Sequence, residues 1–421
     1  MKNLRFLLVL LGLMSSSIFA QNIIQVPEGT DGISAAYTSA TSGDIIELTS
    51  NGGLYVETST LTITAGKAIT IRAKAGLRYQ PVWVCSAVSD YGGIIKTNAG
   101  ITVDGIILDG TGGTPPTATV NGIITGGNSY SIKVYNSTLK NFTTALYGEG
   151  GAVQVDSIIF KGCLFENISG NAIMCYGGTA APADFKYLSL TNSTFWNPVY
   201  RSVACLYTIA NDALYSPNAG WTPDPRVEID QVTVYNFRRI YCKEHSNVQI
   251  KNTIFMIPAV TSSTGFILYG DQTSISNCMY YNVSNSFTDG VIQTNILNAD
   301  PLFLDASNGD LSINDASPAY HAGTNGKSLG DPRWWPEPLV TEKIIKIAAG
   351  TDSIAKAYAL AASGDIIELT TDGGLYIETA MLTVTDKKIT IRAASGLVNK
   401  PIWACNAVSD YGGLMEIYAS V

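Results

Sequence analysis

A six-residue pattern recurs through the middle of the chain and constrains its fold more than any other feature. Asn-Ser-Thr-Leu-Lys-Asn at 136–141 returns in related form at 162–167, 192–197, 231–236, 252–257 and 277–282. The start-to-start steps are 26, 30, 39, 21 and 25 residues. Such steps are too irregular for a helical repeat and natural for coils whose strands are fixed and whose loops vary. Residues 131–135, 187–191 and 247–251 alternate apolar and polar side chains, so each reads as a strand with one buried face. The pattern predicts an all-β fold, a right-handed parallel β-helix.

The asparagines at 141, 167, 197, 236 and 282 end the repeated strands at one register, where the chain must turn. Asparagine tolerates the left-handed conformation, and stacked amides can bond from coil to coil. Most of these positions, with Asn136 and Asn192, also read as glycosylation sequons. Aligning the ends of the following strands puts Cys175, Cys205 and Cys242 at one apolar position. Cys163 and Cys278 share another, held elsewhere by Ser137, Ser193 and Thr253. Seven cysteines cannot all pair, so buried free thiols are the simpler reading beside disulfides or metal ligands. No CxxC or His/Cys spacing suggests zinc.

Residues 1–20 combine Lys2 and Arg5, an apolar run and small residues before Gln21, the pattern of a secretory signal. The expected address is extracytoplasmic, with no later apolar run long enough to span a membrane. Removing the signal takes the formal charge from −8 to −10, which argues against a nucleic-acid partner. A duplication sets the domain plan: Gly29-Thr-Asp31 returns as Gly350-Thr-Asp352, and the motif at 43–48 as 364–369. The expectation is a cap and first coils over 21–100, with Asp31 capping a helix from Gly32 to Ser42. A β-helix over 101–330, a Pro-rich linker over 331–342 and a partial second copy over 343–421 follow. Trp334 and Trp335 are expected to pack the linker onto a module, and His321 to be structural. The oligomeric state stays open.

The opening helix, followed by the motifs at 42–48, 52–55 and 69–72, resembles the start of chondroitinase-B and alginate-lyase-type polysaccharide lyases. The Asp-Pro-Leu-Phe and Ser-Pro-Ala segments near 300 and 317 look like those closing many exported β-helix proteins, including uncharacterised families of polysaccharide-degrading systems. The resemblance implies a calcium site of Asn and two carboxylates spaced i, i+2, a lysine base and an arginine. Glu228-Ile-Asp230 has that carboxylate spacing, while Tyr235 stands near the lysine's place.

Breaking a uronate chain by β-elimination needs a cation on the sugar carboxylate, a base and an acid. The densest ionisable cluster, 238–245, offers Arg238 as carboxylate clamp, Lys243 or Tyr241 as base and His245 as proton donor, with Arg201 on the preceding coil. Tyr176, Tyr241, Tyr269, Trp221 and Arg239 are the candidate substrate-binding residues. Tyr241 and Lys243 are expected to face out beside Tyr176 and Tyr269 at neighbouring levels. The plain alternative is a solvated basic edge with tyrosines that only cover strands. Two functions therefore compete: an exported lyase acting on an acidic polysaccharide, and a non-catalytic glycan-binding or surface β-helix, which tandem copies favour through avidity.

Overall fold

The computed structural model describes residues 21–86, 92–112, 120–148, 155–176, 185–209, 225–243, 247–257, 264–268, 272–287, 290–336, 344–361, 365–384, 389–406 and 415–417. The chain divides into two compact units, residues 1–335 and 336–421. No described helix is long and apolar enough to cross a membrane.

The first unit is a right-handed parallel β-helix of three sheets. The first sheet runs Ile23–Val26, Ile45–Leu48, Ile69–Ala73, Ile101–Asp104, Ser131–Tyr135 and Val155–Lys161 and continues upward through 185–191 and 226–230. The second includes Val82–Cys85, Ile107–Asp109, Thr138–Lys140 and Leu164–Glu166, then 194–196 and 233–235. The third includes Gly93–Thr97, Asn121–Thr125, Thr144–Gly148 and Ile173–Tyr176, then 206–209 and 240–243. Every neighbouring pair is parallel, so inward positions superpose from coil to coil. Phe165 and Phe195 stack at 4.2 Å with ring planes 4° apart.

Left-handed residues turn the chain at two corners. The six start positions of the sequence repeat, Asn136, Gly162, Asn192, Gln231, Asn252 and Asn277, all have φ between 47° and 68°. Asn141, Asn167, Asn236 and Asn282 turn the next corner with φ between 51° and 64°. Amides then stitch the coils together: Asn141 donates to Asp109 at 2.8 Å and Asn167 to Asn141 at 2.8 Å. Asn197 departs from this rule. It lies inside the long strand Phe185–Ile209, accepts from the Ile168 amide at 2.7 Å and donates to the Ile168 carbonyl at 3.1 Å.

The position after the first corner is confirmed and explained. Ser137, Cys163, Ser193, Thr253 and Cys278 are buried, and each donates to the carbonyl two residues back. A thiol or hydroxyl fits because that carbonyl is left beside the turn. Burial pushes the Cys163 and Cys278 thiols up to about 12, so both stay protonated donors. The other cysteine column is corrected: Cys175 and Cys242 share a register with Thr208 between them, and Cys205 sits at a bulge. None of the seven cysteines forms a disulfide.

Helix α1 (Gly32–Ser39) covers the first coil, as expected, but ends before Ser42 and is not capped by Asp31. Glu57, fully buried on the following strand, accepts from the Ile33 amide at 2.9 Å and the Ser34 amide at 3.2 Å. Asp31 is left-handed, φ 55°, which turns its carboxylate away to Thr58. The second unit repeats the arrangement by itself. Glu378 accepts from the Ile354 and Ala355 amides at the start of α2 (Ser353–Leu360), and Asp352 accepts from Thr379.

Candidate functional site

A three-sided β-helix offers three outer faces, and the structure treats them differently. The second face is covered by the segment from Pro301 to Trp335, whose Leu311, Ile313 and Leu329 are buried. Trp196 donates to the Ala306 carbonyl at 2.7 Å, and Phe303 packs edge-on to Tyr235. Asp331, expected as the start of a linker, is buried against Thr194, whose hydroxyl donates to it at 2.7 Å. Arg333 pairs with Asp331 at 2.7 Å, and Trp334 donates to Thr194 at 2.7 Å. Tyr235, near the place of the expected lysine, is therefore 5% exposed and closed off from substrate. Burial raises its phenol further from use as a base.

The first face is polar but balanced. Lys186 pairs with Asp156 at 2.7 Å, Lys251 with Asp230 at 3.4 Å, and Arg226 with Glu228. Tyr187 donates to Glu228, and Asn252 donates to Asp230 at 2.8 Å. Glu228 and Asp230 do lie on one strand face, as their spacing predicts. Their oxygens, however, are engaged by cations and donors, and among the described residues no three His, Cys, Asp or Glu side chains converge. This donor set does not fit calcium.

The third face carries arginines that pair with no carboxylate among the described residues. Between residues 201–209 and 237–243 the parallel register slips: Arg201 pairs with Phe237, Ala204 with Arg239 and Leu206 with Ile240. Two residues, Ser202 and Val203, thus oppose Arg238 alone, and Cys205 is an extra residue opposite the step from Arg239 to Ile240. Such bulges re-aim side chains. Phe237 and Ile240 point into the core, while the consecutive arginines Arg238 and Arg239 are both half-buried at the surface. The Cys205 thiol, 1% exposed, donates to the Arg239 carbonyl at 3.4 Å.

Tyr207 and Tyr241 are register partners, stacked at 4.9 Å with planes 9° apart. The Arg239 guanidinium lies 4.5 Å from the Tyr241 ring centre and 5.9 Å from that of Tyr207, in cation–π range. The Nε atoms of Arg201 and Arg239 are buried without a hydrogen-bond acceptor. Among the described residues no carboxylate pairs with Arg201, Arg238 or Arg239.

Of the residues singled out in the sequence, the structure brings Arg239 and Tyr241 into contact, while Arg238 precedes Arg239 in the strand and Arg201 lies on the coil before, with Phe237 as its register partner. Lys243 ends the same strand, with Ile209 as its register partner and Tyr176 one coil further. The expected adjacency of Lys243 and Tyr176 is therefore corrected to a separation of two rungs. His245, Tyr269 and Trp221 lie outside the described residues. Sequence reasoning missed the bulge and the role of Cys205. Its only trace in the sequence is the break in alternation at Arg238-Arg239.

The family described as a domain of unknown function (DUF4957) matches residues 53–198, a span that ends before Arg201. No curated protein matches the sequence. Among solved structures the chain is similar to the PL6 family alginate lyase AlyGC, at 14% identity over 91% of this chain and 68% of that one, with a TM-score of 0.26. It is also similar to the A-module of the Azotobacter vinelandii mannuronan C-5 epimerase AlgE6, at 13% identity over 93% of this chain and 94% of that one, with a TM-score of 0.29. The functional reading therefore rests on the third face itself.

Proposed function

We propose that this chain is an exported β-helix that holds an acidic polysaccharide against its third face. The observation that carries the reading is that Arg201, Arg238 and Arg239, on two successive coils, pair with no carboxylate among the described residues although the chain as a whole is acidic. Guanidinium groups bind carboxylate and sulfate in bidentate fashion, and a rigid parallel sheet fixes their spacing. The basic and apolar start of residues 1–20 supports an extracytoplasmic address. No step in this reading uses a metal.

The test is retention of pectic, alginate and glycosaminoglycan chains by the full chain, compared with the Arg238→Ala, Arg239→Ala double variant. Retention by the wild type that disappears in the variant supports the reading. Equal retention by both would remove the third face from consideration.

A lyase is the second reading, favoured by the phenol of Tyr241 lying beside the Arg239 guanidinium. There an arginine would neutralise the uronate carboxylate, a base would take the proton beside it, and the leaving oxygen would gain a proton as the ring double bond forms. Ultraviolet absorbance of unsaturated products, lost in Lys243→Ala or Tyr241→Phe with folding intact, would establish turnover. Retention without absorbance would leave the binding reading alone.

A further inference from the structure

We infer that copies of this chain associate head to tail, the last strand of the first sheet in one copy adding to the first strand of that sheet in the next. Above residues 226–230 the first sheet continues through Val248–Lys251 and 274–276 to 292–294. Its outermost strands are Ile23–Val26, whose described partner is Ile45–Leu48 alone, and Ile292–Asn298, whose described partner is Ser274–Tyr281 alone. Each therefore turns one row of backbone groups toward no described strand. Edges of this kind take up added strands.

The alternation of ladder bonds fixes which groups are free. The Asn22 and Val26 carbonyls accept from the Ile45 and Thr49 amides at 2.8 and 3.0 Å, so the backbones of Ile23 and Gln25 face outward. At the other end the Ile292 amide donates to the Thr273 carbonyl at 2.9 Å, so Gln293 faces outward. In a parallel pair one residue bridges two on the facing strand. Here the Gln293 backbone amide donates to the Ile23 carbonyl of the next copy, and the Gln25 backbone amide of that copy donates to the Gln293 carbonyl. This sets Ile292 opposite Ile23 and Gln293 opposite Ile24. The same register continues the sheet's own columns, because Ile23 and Ile292 already end one column and Ile24 and Gln293 another. Ile23 is 47% and Ile292 57% exposed, and the junction covers each with the other, a β-branched cross-strand pair. A groove of about 410 Å³ lies between the first strand and α1, lined by Ile24, Gln25, Glu28, Thr30 and Ser39 among others. It leaves room beside the free edge for the Gln293 side chain, which shares the side of Ile24. Pairing of two first strands with each other would run antiparallel and close at two copies, whereas the head-to-tail junction leaves a free edge at each end and grows.

The experiment follows the full chain by sedimentation velocity over a range of concentrations, where its mass should grow past that of a dimer. Proline at position 25 or 293 removes an amide hydrogen that no ladder bond within the copy uses. Gln25→Pro and Gln293→Pro should therefore each weaken association about tenfold or more while the unfolding midpoint stays in place. Two thiol variants guard against proline variants that misfold. Mixed under mild oxidation, Ile23→Cys and Ile292→Cys should form a disulfide joining position 23 to position 292, and neither alone should cross-link beyond the wild type. Those positions lie at opposite ends of the sheet, so the link joins two copies. A wild type that stays monomeric at every concentration, growth that both proline variants keep, or a link of Ile23→Cys to itself overturns the inference. The polysaccharide-binding reading stands or falls separately, on the retention experiment above.

Discussion

The Cys205 thiol donates to the backbone carbonyl of Arg239 across 3.4 Å, joining a buried bulge to the residue that presents its guanidinium over Tyr241. Removing the donor in Cys205→Ala leaves that carbonyl short of a partner and should cost about 1–2 kcal/mol of stability. Polyanion retention should fall further than that loss explains, because the bulge aims two arginines. Cys205→Ser restores a donor and should recover retention. Burial holds the Cys205 thiol well above its ordinary range, so alkylating reagents should label it only after unfolding. Full retention by the alanine variant would show that the bulge holds itself.

Glu57 should give the first unit a distinctive pH dependence. Its carboxylate caps α1 from a fully buried position, and desolvation raises its pKa above the ordinary glutamate value of 4.5. The folded state therefore binds the proton more tightly than the unfolded state. The corresponding stability is present in full below pH 4.5 and is lost as pH rises through the folded pKa. In Glu57→Gln this slope disappears, while one helix amide faces a donor and about 1–2 kcal/mol is lost overall. Denaturant midpoints of the two proteins across the acid range, taken as a difference curve, measure it. A wild-type curve that instead rises relative to the variant over that range would reverse the assignment.

Asp331 latches the covering segment to the second face. It accepts from Thr194 and from the Arg333 amide, and pairs with the Arg333 guanidinium, at 3% side-chain exposure. Asp331→Ala leaves Arg333 without its carboxylate and frees the contact, at a cost of about 3 kcal/mol. Amide hydrogen exchange should rise in 194–196 and 233–235, the strands under the latch, more than in the first-sheet strands. Uniform change along all three sheets would make Asp331 a general core residue.

The fold was legible because its instructions are local and repeated. Alternation marks the strands, and a left-handed residue must stand wherever a coil turns, so Asn, Gly and Gln recur at fixed places. The site was legible only in part. Arg201, Arg238, Arg239 and Tyr241 announce themselves by type, but which outer face they share depends on where the corners fall. That Glu228 and Asp230 lie on a different face, and that Tyr235 is covered by a segment beginning 66 residues later at Pro301, are long-range facts that no spacing carries. The cysteine alignment failed for a related reason. Inserted residues at the 201–206 bulge shift the register, and a period read by eye passes over such a slip. The Asp31 cap failed because Glu57, from the next coil, competes for the same amides with a carboxylate already buried beside them.

The two kinds of corner asparagine make opposite demands, and substitution should separate them. Asn167 is left-handed, φ 51°, and donates to Asn141 at 2.8 Å. Asn167→Gly keeps the backbone at ease and loses only the amide bond, about 0.5–1.5 kcal/mol. Asn167→Ala adds the left-handed penalty of about 1–2 kcal/mol, so alanine should be the worse change. Asn197 sits in extended strand, is fully buried, and its amide closes both the N–H and C=O of Ile168. There both substitutions orphan the Ile168 backbone, at about 2–3 kcal/mol, and glycine adds the flexibility of a strand position, about 0.5–1 kcal/mol. Glycine should therefore be the worse change at 197. Denaturant unfolding of the four variants reads the order directly, and the same order at both positions would mean that Asn197 turns a corner after all.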